Sequence, residues 1–314
     1  MAKAVFNVIQ AGPLVTIQDM GRPNLMRYGI PESGPMDRGS FATANAALGN
    51  PNELAAIEIS MGGLTLECVE GGVTIAIAGG GFNVEINGNF FPSWIVTTLR
   101  AGSRLTVKPG HWGSWTYLTF AGQLLAKAWL GSVSTHGPSG FGGGKITTGQ
   151  HIEIEDAELR DARVGDIPCP VSARPRHHLS VVLGPQDRYF AADVIDDLFS
   201  NTFVLSDSYD RMGVRLIGPA LRPAGALDIP SEPIVRGSIQ VAGDGVATVL
   251  LADHQTTGGY PKIATIISSH IDGFAQLRSR QKLAFVPVKP EAATQSLRSK
   301  QRIHQQFLEG LRRK

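Results

Sequence analysis

The chain has 314 residues, of which 42% are hydrophobic and 18% charged, and a formal net charge of +2. That is enough for about two domains around a large core, and it excludes disorder for most of the length. Its 37 glycines, about 12% of the chain against a usual value of about 7%, together with 19 prolines favour short strands and sharp turns over long helices.

Period-two hydrophobicity runs through the first half. Ala4 to Ile9, Ala55 to Ser60, Leu64 to Val69, Gly72 to Ala78, Phe82 to Ile86, Arg104 to Lys108, Trp115 to Phe120 and His151 to Glu155 all read as short strands bounded by turn residues. Asn87-Gly88 predicts a tight hairpin turn. One helix is predicted from Asp37 to Leu48: Asp37 caps it, Phe41, Ala44 and Leu48 share a face, and Gly49 with Pro51 ends it. Residues 1–161 therefore read as one β domain, and the proline-rich stretch 162–178 as a linker. A second domain follows at residues 179–289. It starts with a strand at His178 to Leu183 and a helix at Gln186 to Phe199, and strands follow at Thr202 to Leu205, Val214 to Ile217, Ile239 to Val241, Ala247 to Leu251 and Lys282 to Val288. Residues 290–314 read as a basic helical tail with Ile303, Phe307 and Leu311 on one stripe. From Lys289 onward there are seven Lys or Arg against two Glu, which leaves the body at about −3 and excludes a nucleic-acid-binding role for it.

Motif searches return informative negatives. The stretch Gly71 to Val84 is too short and glycine-rich to span a bilayer, and the N-terminus has no apolar secretory run, so a cytoplasmic location is expected. Cys68 and Cys169 stand far apart and the eight His do not fall at ligand spacing, so neither a disulfide framework nor a metal site is indicated. Ser139 and Ile146 break the P-loop pattern around Gly144-Lys145; the Gly140 to Lys145 loop reads as a flexible turn whose N–H groups suit an anion. No nucleophile elbow, H-E-x-x-H or complete G-x-G-x-x-G occurs.

What remains is the stretch from Ala252 to Ala264, which follows an apolar strand and gathers Asp253, His254, Gln255, Thr256, Thr257, Tyr260 and Lys262 around the Gly258-Gly259 bend. The glycines permit close backbone approach, Lys262 suits neutralisation of an oxyanion, and Asp253 or Tyr260 suits proton transfer.

Gly12-Pro-Leu-Val-Thr-Ile-Gln-Asp-Met-Gly-Arg-Pro, Gly29-Ile-Pro-Glu-Ser-Gly-Pro-Met-Asp, Asp210-Arg-Met-Gly-Val-Arg-Leu, Ser231-Glu with Gly237-Ser-Ile-Gln-Val, and above all Gln255-Thr-Thr-Gly-Gly-Tyr-Pro-Lys-Ile-Ala resemble the family of the 5-oxoprolinase C subunit (KipA), also known as the biotin-dependent carboxyltransferase family. The resemblance covers about Val8 to Val288. It implies a mainly β fold of two cyclophilin-like β-barrel domains with a few short helices. It also implies two partner proteins, one B-like (KipI-like) and one A-like, with which the chain opens 5-oxo-L-proline to L-glutamate using ATP bound in the assembled complex. Two alternatives follow from the same family: a urea-carboxylase-like carboxyltransferase using biotin carried on another chain, and a regulatory partner of a kinase-inhibitor-like protein. Tyr209, Pro233, Arg236 and the Gly122-Gln-Leu-Leu-Ala loop depart from the family pattern, which leaves the identity of the amide substrate open. Lys262, Tyr260, Asp253 and Glu232 are the catalytic candidates on this reading. Gln255, Thr256, Thr257, Gly258, Gly259, Arg211, Arg236, Asp19 and Arg22 are the candidates for binding substrate or nucleotide.

Overall fold

The computed structural model describes residues 2–224 and 229–313. Its contacts divide the chain into two compact units, one comprising Met1–Arg22, Ser33–Arg174 and His304–Lys314 and the other Pro23–Glu32 and Pro175–Ile303. The fold is mainly β, with helices at Arg38–Leu48, Ala192–Ser200, Ile271–Ala275 and Pro290–Arg312. Among the described residues no helix is long and apolar enough to cross a membrane.

In the first unit the strands form two sheets. Seven strands run in the order Gln123–Leu124, His151–Glu155, Lys3–Ala11, Leu64–Glu70, Arg104–Trp112, Gly81–Ile86 and Asn89–Pro92. Six run in the order Gly165–Asp166, Ile95–Arg100, Gly72–Ala78, Thr116–Phe120, Ala56–Ile59 and Thr16–Gln18. Their alternating apolar positions, among them Phe6, Leu66, Val84, Ile75, Leu118 and Ile57, share one buried core. Asn87 and Gly88 both adopt positive φ, the geometry of a two-residue hairpin turn, and join Gly81–Ile86 to Asn89–Pro92.

The early helix starts one residue inside the predicted span because Asp37 is its cap, accepting the Ser40 N–H at 2.9 Å, and Gly49 ends it in the left-handed region. A polar anchor sits at its entrance. Glu58, fully buried, accepts from the Met36 N–H and the Tyr117 hydroxyl, each at 2.8 Å, and that hydroxyl accepts the Asp37 N–H at 2.7 Å. Burial, then the charge of Glu58, pushes the Tyr117 phenol well above its ordinary pKa, so it stays a donor.

The stretch 162–174, expected as linker, is instead built into the first unit. Gly165–Asp166 pairs with Ile95 and Val96, and Ile167 is buried with the core, because a two-residue strand needs no apolar periodicity to complete a sheet edge. The tail is a helix, but Ile303 is 64% exposed and the buried pair is Leu308 and Leu311. Those two side chains lie three apart on one face, as a helix with a single narrow contact requires.

The second unit is a closed barrel of seven strands in the order His178–Leu183, Lys262–Ile266, Ser238–Val241, Ala247–Leu250, Gly213–Ile217, Phe203–Tyr209 and Lys282–Pro287, whose last member pairs in parallel with the first. Its interior holds Leu179, Val181, Leu205, Val214, Ile239, Val249, Ile263, Leu283 and Phe285. The predicted helix at Gln186 to Phe199 begins only at Ala192. Before it, Asp187–Tyr189 makes a single 3-10 turn and Phe190 and Ala191 are extended, because Gln186 is held by the barrel strand instead.

Candidate functional site

Two groups of the candidate residues meet in the second unit. The first is built on the end of the strand Lys262–Ile266. Glu232-Pro233 pairs with Thr257-Gly258, and the Ile234 N–H donates to the Thr256 carbonyl at 3.0 Å, so the Gly-Gly segment is zipped to the segment carrying Glu232. The approach is close: a Cβ on Gly258 would lie 2.6 Å from Ile234 Cδ1 and 2.9 Å from Gln240 Nε2, so any larger residue would have to displace the ends of those two side chains.

This pairing places Glu232 Oε2 3.9 Å from Lys262 Nζ. Lys262 is 1% exposed, whereas the Glu232 side chain is 43% exposed. Among the described residues the ammonium has no hydrogen-bond acceptor. Burial pushes it below its ordinary pKa and the Glu232 charge works in the opposite direction. A buried cation with one distant counter-ion is expensive to hold and well suited to receive an oxygen that carries or develops negative charge.

Two residues that the sequence did not single out hold this group together. Gln186 accepts the Lys262 N–H at 2.9 Å and donates to Glu232 Oε2 at 2.6 Å. Gln240, opposite Lys262 in the barrel, donates to the Tyr260 carbonyl at 3.2 Å and accepts from Gln255 Nε2 at 3.4 Å. Gln186 carried a faint signal, a polar residue directly after Gly184-Pro185 at a strand end; Gln240 carried one as a buried amide between Ile239 and Val241 in an apolar strand. Tyr260 is half exposed, with its ring free of the core.

In the second group, Asp253 is fully buried and both of its oxygens accept from Arg211, at 2.9 and 3.0 Å, while its N–H donates to the Arg211 carbonyl. A carboxylate clamped through both oxygens anchors the loop and is poorly placed to shuttle a proton. His254, next in sequence, is driven below its ordinary pKa by burial, with its bond to the Gln255 carbonyl opposing and the charge of Arg236 adding to the shift. A buried imidazole with a lowered pKa is a group the sequence left unranked.

Asp19 and Arg22 belong to the first unit, where they organise the loop at residues 129–144. Arg22 is 1% exposed and donates to the carbonyls of Trp129, Ser132 and Ser134, with its guanidinium 4.9 Å from the centre of the Trp129 ring, which stacks on Phe141. Asp19 accepts from Ser132 Oγ, Ser134 Oγ, the Val133 N–H and the Gly21 N–H. These bonds tie both charges into the loop at residues 129–144. A cavity of about 380 Å³ in the first unit, between Trp94, Trp112, Cys169 and Arg174, and another of about 380 Å³ in the second, along Arg215 to Ala220, contain none of the candidate residues.

Residues 28–287 match the family described as carboxyltransferase domain, subdomain A and B. The C subunit of 5-oxoprolinase from Escherichia coli is 30% identical over 306 residues, 96% of this chain and 97% of that protein. The protein of the same name from Haemophilus influenzae is 29% identical over 316 residues, 98% of each chain. The crystal structure of Kluyveromyces lactis urea carboxylase superimposes with a TM-score of 0.86 at 25% identity, over 99% of this chain and 30% of that one, so the chain spans less than a third of that enzyme's length.

Proposed function

The chain belongs to the carboxyltransferase domain family, subdomains A and B, and on that premise we propose that it is the C subunit of an ATP-dependent 5-oxoprolinase that opens 5-oxo-L-proline to L-glutamate together with A-like and B-like partners. The observation that carries the reading is the buried Lys262 ammonium, without a hydrogen-bond acceptor among the described residues and 3.9 Å from a half-exposed carboxylate.

A lactam carbonyl is a poor electrophile. Transfer of the γ-phosphoryl group of ATP to its oxygen converts that oxygen into a leaving group, and negative charge accumulates on the oxygens involved. Lys262 is the residue placed to neutralise such charge in a setting with little water. Glu232, on the wetter side, suits accepting a proton from the attacking water, and the Tyr260 hydroxyl suits orienting the substrate. Gln255, Thr256 and Thr257 supply polar groups on the paired segment, with Arg236, whose charge is felt at His254, as a further cation. The chain has no P-loop, so the nucleotide is assigned to the assembled complex.

Similarity to urea carboxylase supports a second reading, transfer of a carboxyl group from biotin carried on another chain, in which the same ammonium would face the carboxylate in transit. The discriminating experiment purifies the chain alone and with its A-like and B-like partners. ATP hydrolysis dependent on 5-oxoproline is expected in the assembled complex and absent from the chain alone. Urea-dependent decarboxylation of carboxybiotin, with no response to 5-oxoproline, would replace the first reading by the second.

A further inference from the structure

Gln186 follows the barrel strand His178–Leu183 and is 1% exposed. Its place is set by the backbone of Lys262 on both sides: its N–H donates to the Lys262 carbonyl at 3.2 Å, and its Oε1 accepts the Lys262 N–H at 2.9 Å. A backbone N–H only donates, so Oε1 must face it and Nε2 must point the other way. Nε2 then lies 2.6 Å from Glu232 Oε2, the same oxygen that stands 3.9 Å from Lys262 Nζ.

One carboxylate oxygen therefore has two donors beside it, and the amide holds the hydrogen bond. The consequence is unusual for a buried lysine. Its counter-ion is near enough to favour the charged form, yet no ammonium N–H is spent on it. Glu232 comes from a two-residue strand with an exposed side chain, so its backbone alone does not fix where the carboxylate points.

We propose that Gln186 is a positioning residue for Lys262: by occupying Glu232 Oε2, its amide keeps the carboxylate from closing on the ammonium and reserves the ammonium's N–H groups for a carbonyl, carboxylate or phosphoryl oxygen of the substrate. This rests on the reading of Lys262 as the cation at the reacting centre. Without the amide, Oε2 swings onto Nζ, the pair closes, and a substrate oxygen must displace a hydrogen-bonded carboxylate before it can bind.

The test uses the full chain with 15N-labelled lysine and follows the Nζ shift of Lys262 against pH, the signal being assigned by its loss in Lys262→Met. In Gln186→Met the Lys262 titration is expected to move up by about one pH unit, because a direct hydrogen bond now favours the ammonium. Gln186→Glu keeps the acceptor for the Lys262 N–H but donates to Glu232 only when protonated. Its Lys262 titration should therefore lie above that of the wild type, while its turnover in the assembled complex should recover toward wild type as the pH falls. A residue that merely filled space would lower the melting temperature of Gln186→Met and leave its Lys262 titration where it stands in the wild type. An unchanged Lys262 titration in folded Gln186→Met overturns the role of Gln186 whatever the turnover. Should that variant fail to fold, a flat pH profile for Gln186→Glu does the same. A shifted titration with unchanged turnover on 5-oxoproline and ATP overturns instead the functional reading on which the proposal rests.

Discussion

Replacing Lys262 by Met should make the protein more stable and the assembled enzyme much slower. The wild-type ammonium is 1% exposed, has no hydrogen-bond acceptor among the described residues, and has its counter-ion at 3.9 Å, a separation at which attraction falls short of the cost of desolvation. Met keeps the length and most of the aliphatic stem. The Glu232 left behind is not stranded, because its side chain is 43% exposed and still accepts from Gln186. By analogy with buried charges exchanged for apolar side chains, the gain should be about 1 to 3 kcal/mol at pH 7, read from urea denaturation. The pH dependence carries a sign. Because the folded-state pKa of Lys262 lies below the unfolded value of about 10.5, the unfolded chain holds the proton more tightly at neutral pH. The advantage of Met is therefore greatest near pH 7 and shrinks as the pH rises toward the unfolded-state pKa. Turnover should drop roughly 100-fold to 1,000-fold, as when one electrostatic stabiliser is removed. A Lys262→Met protein less stable than wild type by more than about 1 kcal/mol would show that the ammonium serves the fold, and the reasoning would fail.

Three further outcomes are expected. Asp253→Asn leaves the Arg211 guanidinium buried without its bidentate carboxylate and should cost about 3 to 5 kcal/mol, measured as a fall in the urea midpoint; a loss below about 1 kcal/mol would mean that the pair is not a structural anchor. His270 accepts the Ser180 N–H at 3.0 Å, and burial, with Arg176 and then Lys300 nearby, lowers its pKa to about 4. Its stabilising contribution is complete above about pH 6.5 and is lost as the pH falls toward 4, by about 3 kcal/mol in all; His270→Gln should flatten that part of the stability profile. Leu311→Ala, at a buried position of the last helix, should lower stability by about 2 kcal/mol, and an unchanged melting curve would show that this turn is not part of the first unit's core.

Much of the strand pattern was legible because its signal is local. Strands such as Gly72–Ala78 and His151–Glu155 lie where alternation placed them, and Asp37 and Gly49 bound the first helix through capping chemistry that needs only neighbours in sequence. Short edge strands were not legible: Asn89–Pro92 and Gly165–Asp166 have too few residues for a period to appear and are defined by what they pair with. Within the site, the stretch from Asp253 to Lys262 announced itself by its density of polar groups around two glycines. Which of its members would be free to act did not follow, since Asp253 and Lys262 differ only in partners brought from far along the chain, Arg211 for one and Glu232 with Gln186 for the other. For the same reason Asp19 and Arg22 read as a charged pair open to a ligand, although a loop more than a hundred residues away takes up their hydrogen bonds.

Neither compact unit is an uninterrupted length of chain. Pro23–Glu32 is drawn from the midst of the first unit's sequence and counts with the second, and His304–Lys314 returns from beyond the barrel to the first, where Arg163 binds the carbonyls of Leu311 and Arg312 together with that of Ala47. Cutting the gene between Arg174 and Pro175 would thus yield two polypeptides that each lack a piece of themselves. During synthesis, moreover, the first unit cannot be completed when its own last sheet strand, Gly165–Asp166, leaves the ribosome; it must wait about 140 residues more for Leu308 and Leu311. Swapping one half between homologues is consequently a three-way graft, and chimeras designed at the obvious boundary would inherit mismatched helical ends.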